Sequence, residues 1–130
     1  FGLRALGSRI GVTGVCPRRD AKSQQLRIAG HVKKLTAMLD IDPVIVSEDI
    51  CLTDVSLAPG YGQLNEMTLR ALQLTAQCEG LFLDPVYTAE AMAGLFHLVE
   101  QRAISGNVLF WHTGGQPAIF GYGEALIGEV

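Results

Sequence analysis

A chain of 130 residues is long enough for one domain or for part of a larger one, and its 48% hydrophobic residues can supply a core. That composition excludes wholesale disorder. A formal charge of -3 argues against a nucleic-acid partner, which would require a basic stripe. The basic pairs Arg18–Arg19 and Lys33–Lys34 lack interleaved aromatics and read as solvated faces. The longest uncharged stretch, Ala103 to Gly123, carries Asn107, His112, Gln116, Pro117 and several glycines, so it does not read as a membrane span. No apolar stretch near the start has the form of a secretory signal. Cys16, Cys51 and Cys78 are odd in number and irregular in spacing. They suit reduced thiols in a cytoplasm, and no metal-ligand spacing is expected.

In chain order, Phe1 to Leu6 reads as the last turns of a helix, with Leu3 and Leu6 one turn apart and Gly7 at its C-terminal end. Together with a first residue that is not methionine, this half-helix predicts a chain truncated at its N-terminus. Ser8 to Cys16 is expected to be a strand. A helix follows over about 21–39, with Ile28, Val32, Leu35 and Leu39 on one face and Asp42-Pro43 ending it. Val44 to Val46 reads as a short strand. Asn65 is expected to cap a helix burying Met67, Ala71, Leu74 and Cys78, closed by Gly80. Leu81 to Leu83 and Asn107 to Trp111 read as further strands. Between them Thr88 caps a helix to about Arg102, with Ala91, Leu95, Leu98 and Val99 buried and Gly94 admitting a close neighbour. His112-Thr113-Gly114-Gly115 is a glycine turn, and Pro117 suits the first position of a following helix. Short apolar strands alternating with helices predict an α/β three-layer sandwich with a largely parallel sheet.

In such sheets, ligands bind beyond the carboxyl ends of strands. Two segments are expected there: Asp84-Pro85-Val86-Tyr87-Thr88 and His112-Thr113-Gly114-Gly115. Tyr87 offers a flat face and a phenol, Thr88 and Thr113 offer hydroxyls, and the glycines admit close backbone approach. Each has a plainer explanation. Thr88 is explained by capping, the glycines by a tight turn, His112 as a satisfied core histidine, and Tyr61 as a packing aromatic. Spacing alone supports a small-molecule site and no more.

Three strings are more specific: Leu83-Asp84-Pro85-Val86-Tyr87-Thr88 continued by Ala91-Met92-Ala93-Gly94-Leu95; Asn107-Val108-Leu109-Phe110 running into His112-Thr113-Gly114-Gly115, Pro117-Ala118 and Phe120; and Ala58-Pro59-Gly60-Tyr61-Gly62. Taken in chain order they resemble the C-terminal motifs of the D-cysteine desulfhydrase and 1-aminocyclopropane-1-carboxylate (ACC) deaminase family of pyridoxal-phosphate enzymes. The resemblance implies the tryptophan-synthase-β-like fold, fold type II, of which residues 1–130 would be an incomplete C-terminal part. It also implies pyridoxal 5'-phosphate as cofactor, a small amino acid as substrate, a homodimer when full length, and β-elimination giving pyruvate, ammonia and sulfide. Cysteate sulfo-lyase or ACC deaminase activity is the alternative within the family. A non-catalytic α/β fragment or binding module is the alternative outside it.

By the same resemblance, Tyr87 and Tyr61 are the expected catalytic residues beside the substrate. Thr113, Tyr87, Thr88 and Gly114 are expected to bind the cofactor, with the Thr113 hydroxyl on the pyridine nitrogen. Thr88 and Thr113 favour the desulfhydrase branch, because the deaminases resemble a tyrosine followed by glutamate and a His-Leu-Gly-Gly turn. Two positions depart from the pattern. Ala89-Glu90 stands where Gly-Lys is common, with Glu90 expected to favour the helix dipole, and Gln116 stands where alanine is usual. The resemblance assigns the cofactor-bearing lysine and the phosphate loop to earlier segments of the family's order. The helix at Phe1 to Leu6 resembles the one following that loop. Lys22, Lys33 and Lys34 fall on a helix remote from the cofactor, so the fragment alone is expected to be inactive.

Overall fold

Two short segments pair in parallel: β1 (Thr13–Val15) and β2 (Cys51–Thr53), with Gly14 opposite Leu52. The molecule is seen in a computed structural model that describes residues 1–42 and 44–127. Alternation along β1 sends neighbouring residues to opposite faces. Gly14 lines a cavity with Ile28 and Val32 of α2 (Ala21–Leu39), while Val15 meets α4 (Thr88–Glu100). Helices therefore cover both faces, as the α/β reading requires. Gly94 makes the second contact possible. A Cβ there would lie 2.8 Å from Val15 Cγ2, so glycine lets α4 settle directly on the strand.

The helix boundaries follow their capping chemistry. The first helix, α1 (Gly2–Ala5), ends at Leu6, and the backbone of Gly7 is left-handed at φ +72°. Asp20 accepts from the Ser23 N–H at 2.8 Å and starts α2. Asp40, at φ 49°, closes it just after Leu39. Helix α2 thus stops before Asp42, and Pro43 lies outside the described residues. Asn65 accepts from the Thr68 N–H at 2.8 Å and starts α3 (Glu66–Glu79), which closes at Gly80 as expected. Pro117 sits at the start of a 3-10 segment, Gln116–Tyr122, that leads into α5 (Gly123–Ile127).

Several expectations are corrected. The first strand is shorter than Ser8 to Cys16. Val44 to Val46 forms no strand; a 3-10 turn at Ser47–Asp49 precedes the real one at Cys51–Thr53. Neither Leu81 to Leu83 nor Asn107 to Trp111 is a strand, because neither has a ladder partner among the described residues. Apolar runs report a propensity to be buried, whereas a strand also needs a paired neighbour. Trp111 is 78% exposed and Leu109 83%.

Helices α3 and α4 carry the core, and the buried face of each is rotated from the one expected; on α3 Ala71 is buried as expected and Met67 packs against the core. On α3 that face is Thr68, Ala71, Leu72 and Thr75, with Leu74 and Cys78 exposed. The period is right and the phase is shifted, because two buried threonines are invisible to a count of apolar residues. On α4 the buried set is Thr88, Ala89, Glu90, Met92, Ala93 and Gly94, while Val99 is exposed and Ala91, Leu95 and Leu98 are half-buried. Leu83 fills the space between the helices with Ala71, Leu72, Ala89, Met92 and Ala93.

Candidate active site

The N-terminus of α4 is organised by one carboxylate. Asp84 Oδ1 accepts from the N–H groups of Val86 (3.0 Å) and Tyr87 (2.7 Å). Its Oδ2 accepts from the Thr88 N–H (2.8 Å) and the Thr88 hydroxyl (2.6 Å). The Thr88 Oγ1 in turn accepts from the Asp84 N–H at 2.8 Å. Burial alone would raise the Asp84 carboxyl, but these donors outweigh it and hold the group below the ordinary carboxylate range. Thr88, expected as the cap, is the first helical residue and is buried; Asp84 does the capping. An aspartate followed by proline and, four residues on, by a threonine is the sequence signal for this arrangement.

The turn so formed presents Tyr87, which is 46% exposed. Its phenol is hydrogen-bonded to the phenol of Tyr61, and the two rings meet edge to face with centroids 6.1 Å apart. The shared hydrogen bond first, then burial, raise the Tyr87 phenol above its ordinary value, while the Arg18 charge pulls the other way. The Tyr61 loop is held from both sides. The Tyr122 hydroxyl donates to the Gly62 carbonyl at 2.7 Å, and Asn65 Nδ2 donates to the Ser56 carbonyl at 2.9 Å. Tyr61, reached by a separate motif, therefore joins Tyr87 across 26 residues of sequence.

The second expected segment folds back on the first. His112 Nε2 bonds the Phe82 carbonyl at 3.1 Å, and its Nδ1 accepts from the Gly114 N–H at 3.0 Å. Both ring nitrogens are thus used, and His112 is structural. Gly115, at φ +89°, lies so close to Asp84 that a Cβ there would be 3.0 Å from its Cβ and Cγ. The Thr113 turn and the Tyr87 turn consequently share one anchor, and Thr113 is exposed at its tip. At Gly114 the space beside the backbone is open, with nothing within 4 Å of where a Cβ would stand.

Three features escaped the sequence reading. Arg18, read as a solvated charge, has its guanidinium carbon 5.3 Å from the Tyr61 ring centroid. Tyr122 secures the Tyr61 loop. Glu90, expected to favour the dipole at the helix start, is 1% exposed, and its Oε2 has no hydrogen-bond partner. Burial first, and the Asp84 charge second, push its carboxyl up to about 7. No signal in the local pattern marks a buried glutamate in a first helical turn.

A cavity of about 210 Å3 lies away from these groups, between α1, α2 and the sheet. Its walls are largely apolar, and its Arg4 and Asp49 are paired to each other at 2.7 Å. Among the described residues no cluster of His, Cys, Asp and Glu could hold a metal, and no helix is long and apolar enough to cross a membrane.

No family model matches the chain. It is 39% identical over 123 residues to D-cysteine desulfhydrase of Klebsiella pneumoniae (strain 342), covering 93% of this chain and 37% of that protein. D-cysteine desulfhydrase of Yersinia enterocolitica is 41% identical over the same shares. Among solved structures, a crystal structure of an ACC deaminase homologue superposes with a TM-score of 0.84 at 28% identity, over 97% of this chain and 38% of that one. The segment is that of the D-cysteine desulfhydrase and ACC deaminase family. It spans a little over a third of the length of the desulfhydrases it matches. The Asp84 turn, the tyrosine pair and the Thr113 turn thus belong to a segment of the desulfhydrase and deaminase fold.

Proposed function

We propose that the full-length protein is a pyridoxal-phosphate-dependent lyase acting on D-cysteine or a close relative. With water consumed, the reaction releases pyruvate, ammonia and sulfide. The observation that carries this reading is the Tyr61–Tyr87 hydroxyl pair, with Tyr87 and the exposed Thr113 on two turns that share the Asp84 anchor.

The residues present fit the cofactor. The exposed face of Tyr87 can take a flat ring, and the open space at Gly114 admits one against the backbone. Thr113 can donate to or accept from a ring nitrogen. When bound, pyridoxal phosphate supplies the electron withdrawal that makes the α-hydrogen of the amino acid removable. A hydroxyl at Thr113, unlike a carboxylate, does not hold a ring nitrogen protonated. It tempers that withdrawal and favours loss of a β-substituent. With the Tyr87 phenol raised, its proton is retained at neutral pH. Tyr87 Oη then acts as a proton donor toward the departing sulfur, and Tyr61 holds it in line. Thr88 positions Tyr87 through Asp84. The three lysines of the chain, Lys22, Lys33 and Lys34, all lie exposed on α2, which supports assigning the cofactor-bearing lysine to another segment.

Incubating the full-length protein with pyridoxal phosphate and D-cysteine, and measuring pyruvate and sulfide together, tests the reading. Both products should appear in equal amounts. Release of 2-oxobutanoate from ACC instead would favour the deaminase alternative, which the similarity to an ACC deaminase homologue supports. A cytoplasmic site of action and a homodimeric assembly complete the proposal.

A further inference from the structure

Arg18 stands at the end of the segment that leaves β1, before α2 begins. Its guanidinium lies over the face of Tyr61, whose hydroxyl meets that of Tyr87. The charges around it are already engaged. Asp20 caps α2, Asp54 accepts from the Ala21 N–H at 2.8 Å, Arg19 donates to Gln24 at 2.9 Å, and both Asp84 oxygens are taken by the 86–88 turn. Among the described residues Arg18 makes no ion pair and no hydrogen bond of its own. A guanidinium stacked on an aromatic ring keeps its N–H edges free in the plane, and this fork matches a carboxylate or sulfonate. Its charge is felt at the pair, since it acts on the Tyr87 phenol.

We propose that Arg18 is a specificity-determining residue that binds an anionic oxygen group of the substrate at the tyrosine pair, an inference that rests on the lyase reading above. The group is either the α-carboxylate of the amino acid or an acidic β-substituent such as a sulfonate. In both cases the guanidinium supplies two parallel donors and the tyrosines a hydroxyl rim, an arrangement with no use for a neutral side chain.

The test compares kcat/KM of the full-length holoenzyme with Arg18→Gln and Arg18→Lys, using D-cysteine and D-cysteate. Loss of a charge-assisted bond predicts roughly a ten- to hundredfold fall for cysteate in Arg18→Gln. Arg18→Lys should recover part of it. A much smaller fall for D-cysteine assigns Arg18 to the β-substituent, and an equal fall assigns it to the α-carboxylate. Unchanged values for both substrates overturn the proposal. If the wild type turns over neither amino acid, the lyase reading fails, and calorimetric titration with D-cysteate decides the point. Weaker binding by Arg18→Gln than by wild type sustains the anion site, and equal binding or none overturns it.

Discussion

Replacing Glu90 by glutamine removes a buried charge while keeping the side-chain shape. Glu90 is 1% exposed, one of its oxygens has no partner, and its carboxyl is pushed up to about 7 from an ordinary 4.5 by burial and then by Asp84. A raised carboxyl means that the folded state holds the proton over a range where the unfolded state has lost it. Stability is therefore greatest below about 4.5, falls as pH rises, and levels off above about 7. At about 1.4 kcal/mol per pH unit across that interval, ionised Glu90 costs roughly 3 kcal/mol. The glutamine variant should lose this slope. Its absolute stability also bears the cost of burying an amide, about 1–3 kcal/mol, so the slope is the cleaner readout. Urea denaturation of the full-length wild type and Glu90→Gln at pH 5, 6, 7 and 8 measures it. The difference between the two should grow in favour of the variant up to neutrality and then stay constant. Parallel curves across the range would refute the reasoning.

If the lyase reading holds, Tyr87→Phe in the full-length protein should reduce turnover by about a hundredfold, the ordinary worth of a positioned proton donor, with little change in cofactor affinity. Equal losses in both would make Tyr87 a packing residue. Asp84→Ala orphans three backbone N–H groups and should destabilise the fold by about 2 kcal/mol or more, read as a lower denaturation midpoint. Because the Asp84 carboxyl is held low, its contribution is present above about 3.8 and lost as pH falls through its folded value, so the variant should be less acid-sensitive. Gly115→Ala meets both a left-handed backbone and the Asp84 side chain, and should cost about 1–3 kcal/mol with the tyrosine pair disturbed. Unchanged tyrosine absorbance would argue against the shared anchor.

The helices were legible because their signals are local. Asp20 and Asn65 cap α2 and α3 within a few residues of where they stand, and Gly80 needs only its own backbone freedom. The strands were less legible, since Leu81 to Leu83 and Cys51 to Thr53 differ less in composition than in whether a neighbour pairs with them. Helix faces failed for a related reason: Thr68, Thr75 and Glu90 are polar by type and buried by position. At the candidate site, Tyr61, Tyr87 and Thr113 were singled out through motif resemblance, and spacing alone would have left them as separate loop residues. Arg18 and Tyr122 act through contacts with Tyr61 and Gly62 across 43 and 60 residues, which no local pattern can report.

The Asp84 carboxylate has a consequence for kinetics of recognition. Four donors from residues 86 to 88 converge on it, and Gly115 closes against it from the other side. The turn bearing Tyr87 is therefore held in shape by its own bonds before any ligand arrives. A small molecule entering beside it does not have to order a loop, and the ordering entropy that weakens many small-ligand sites is already spent in folding. Association there should be governed by encounter and desolvation, with no slow conformational phase ahead of the chemistry.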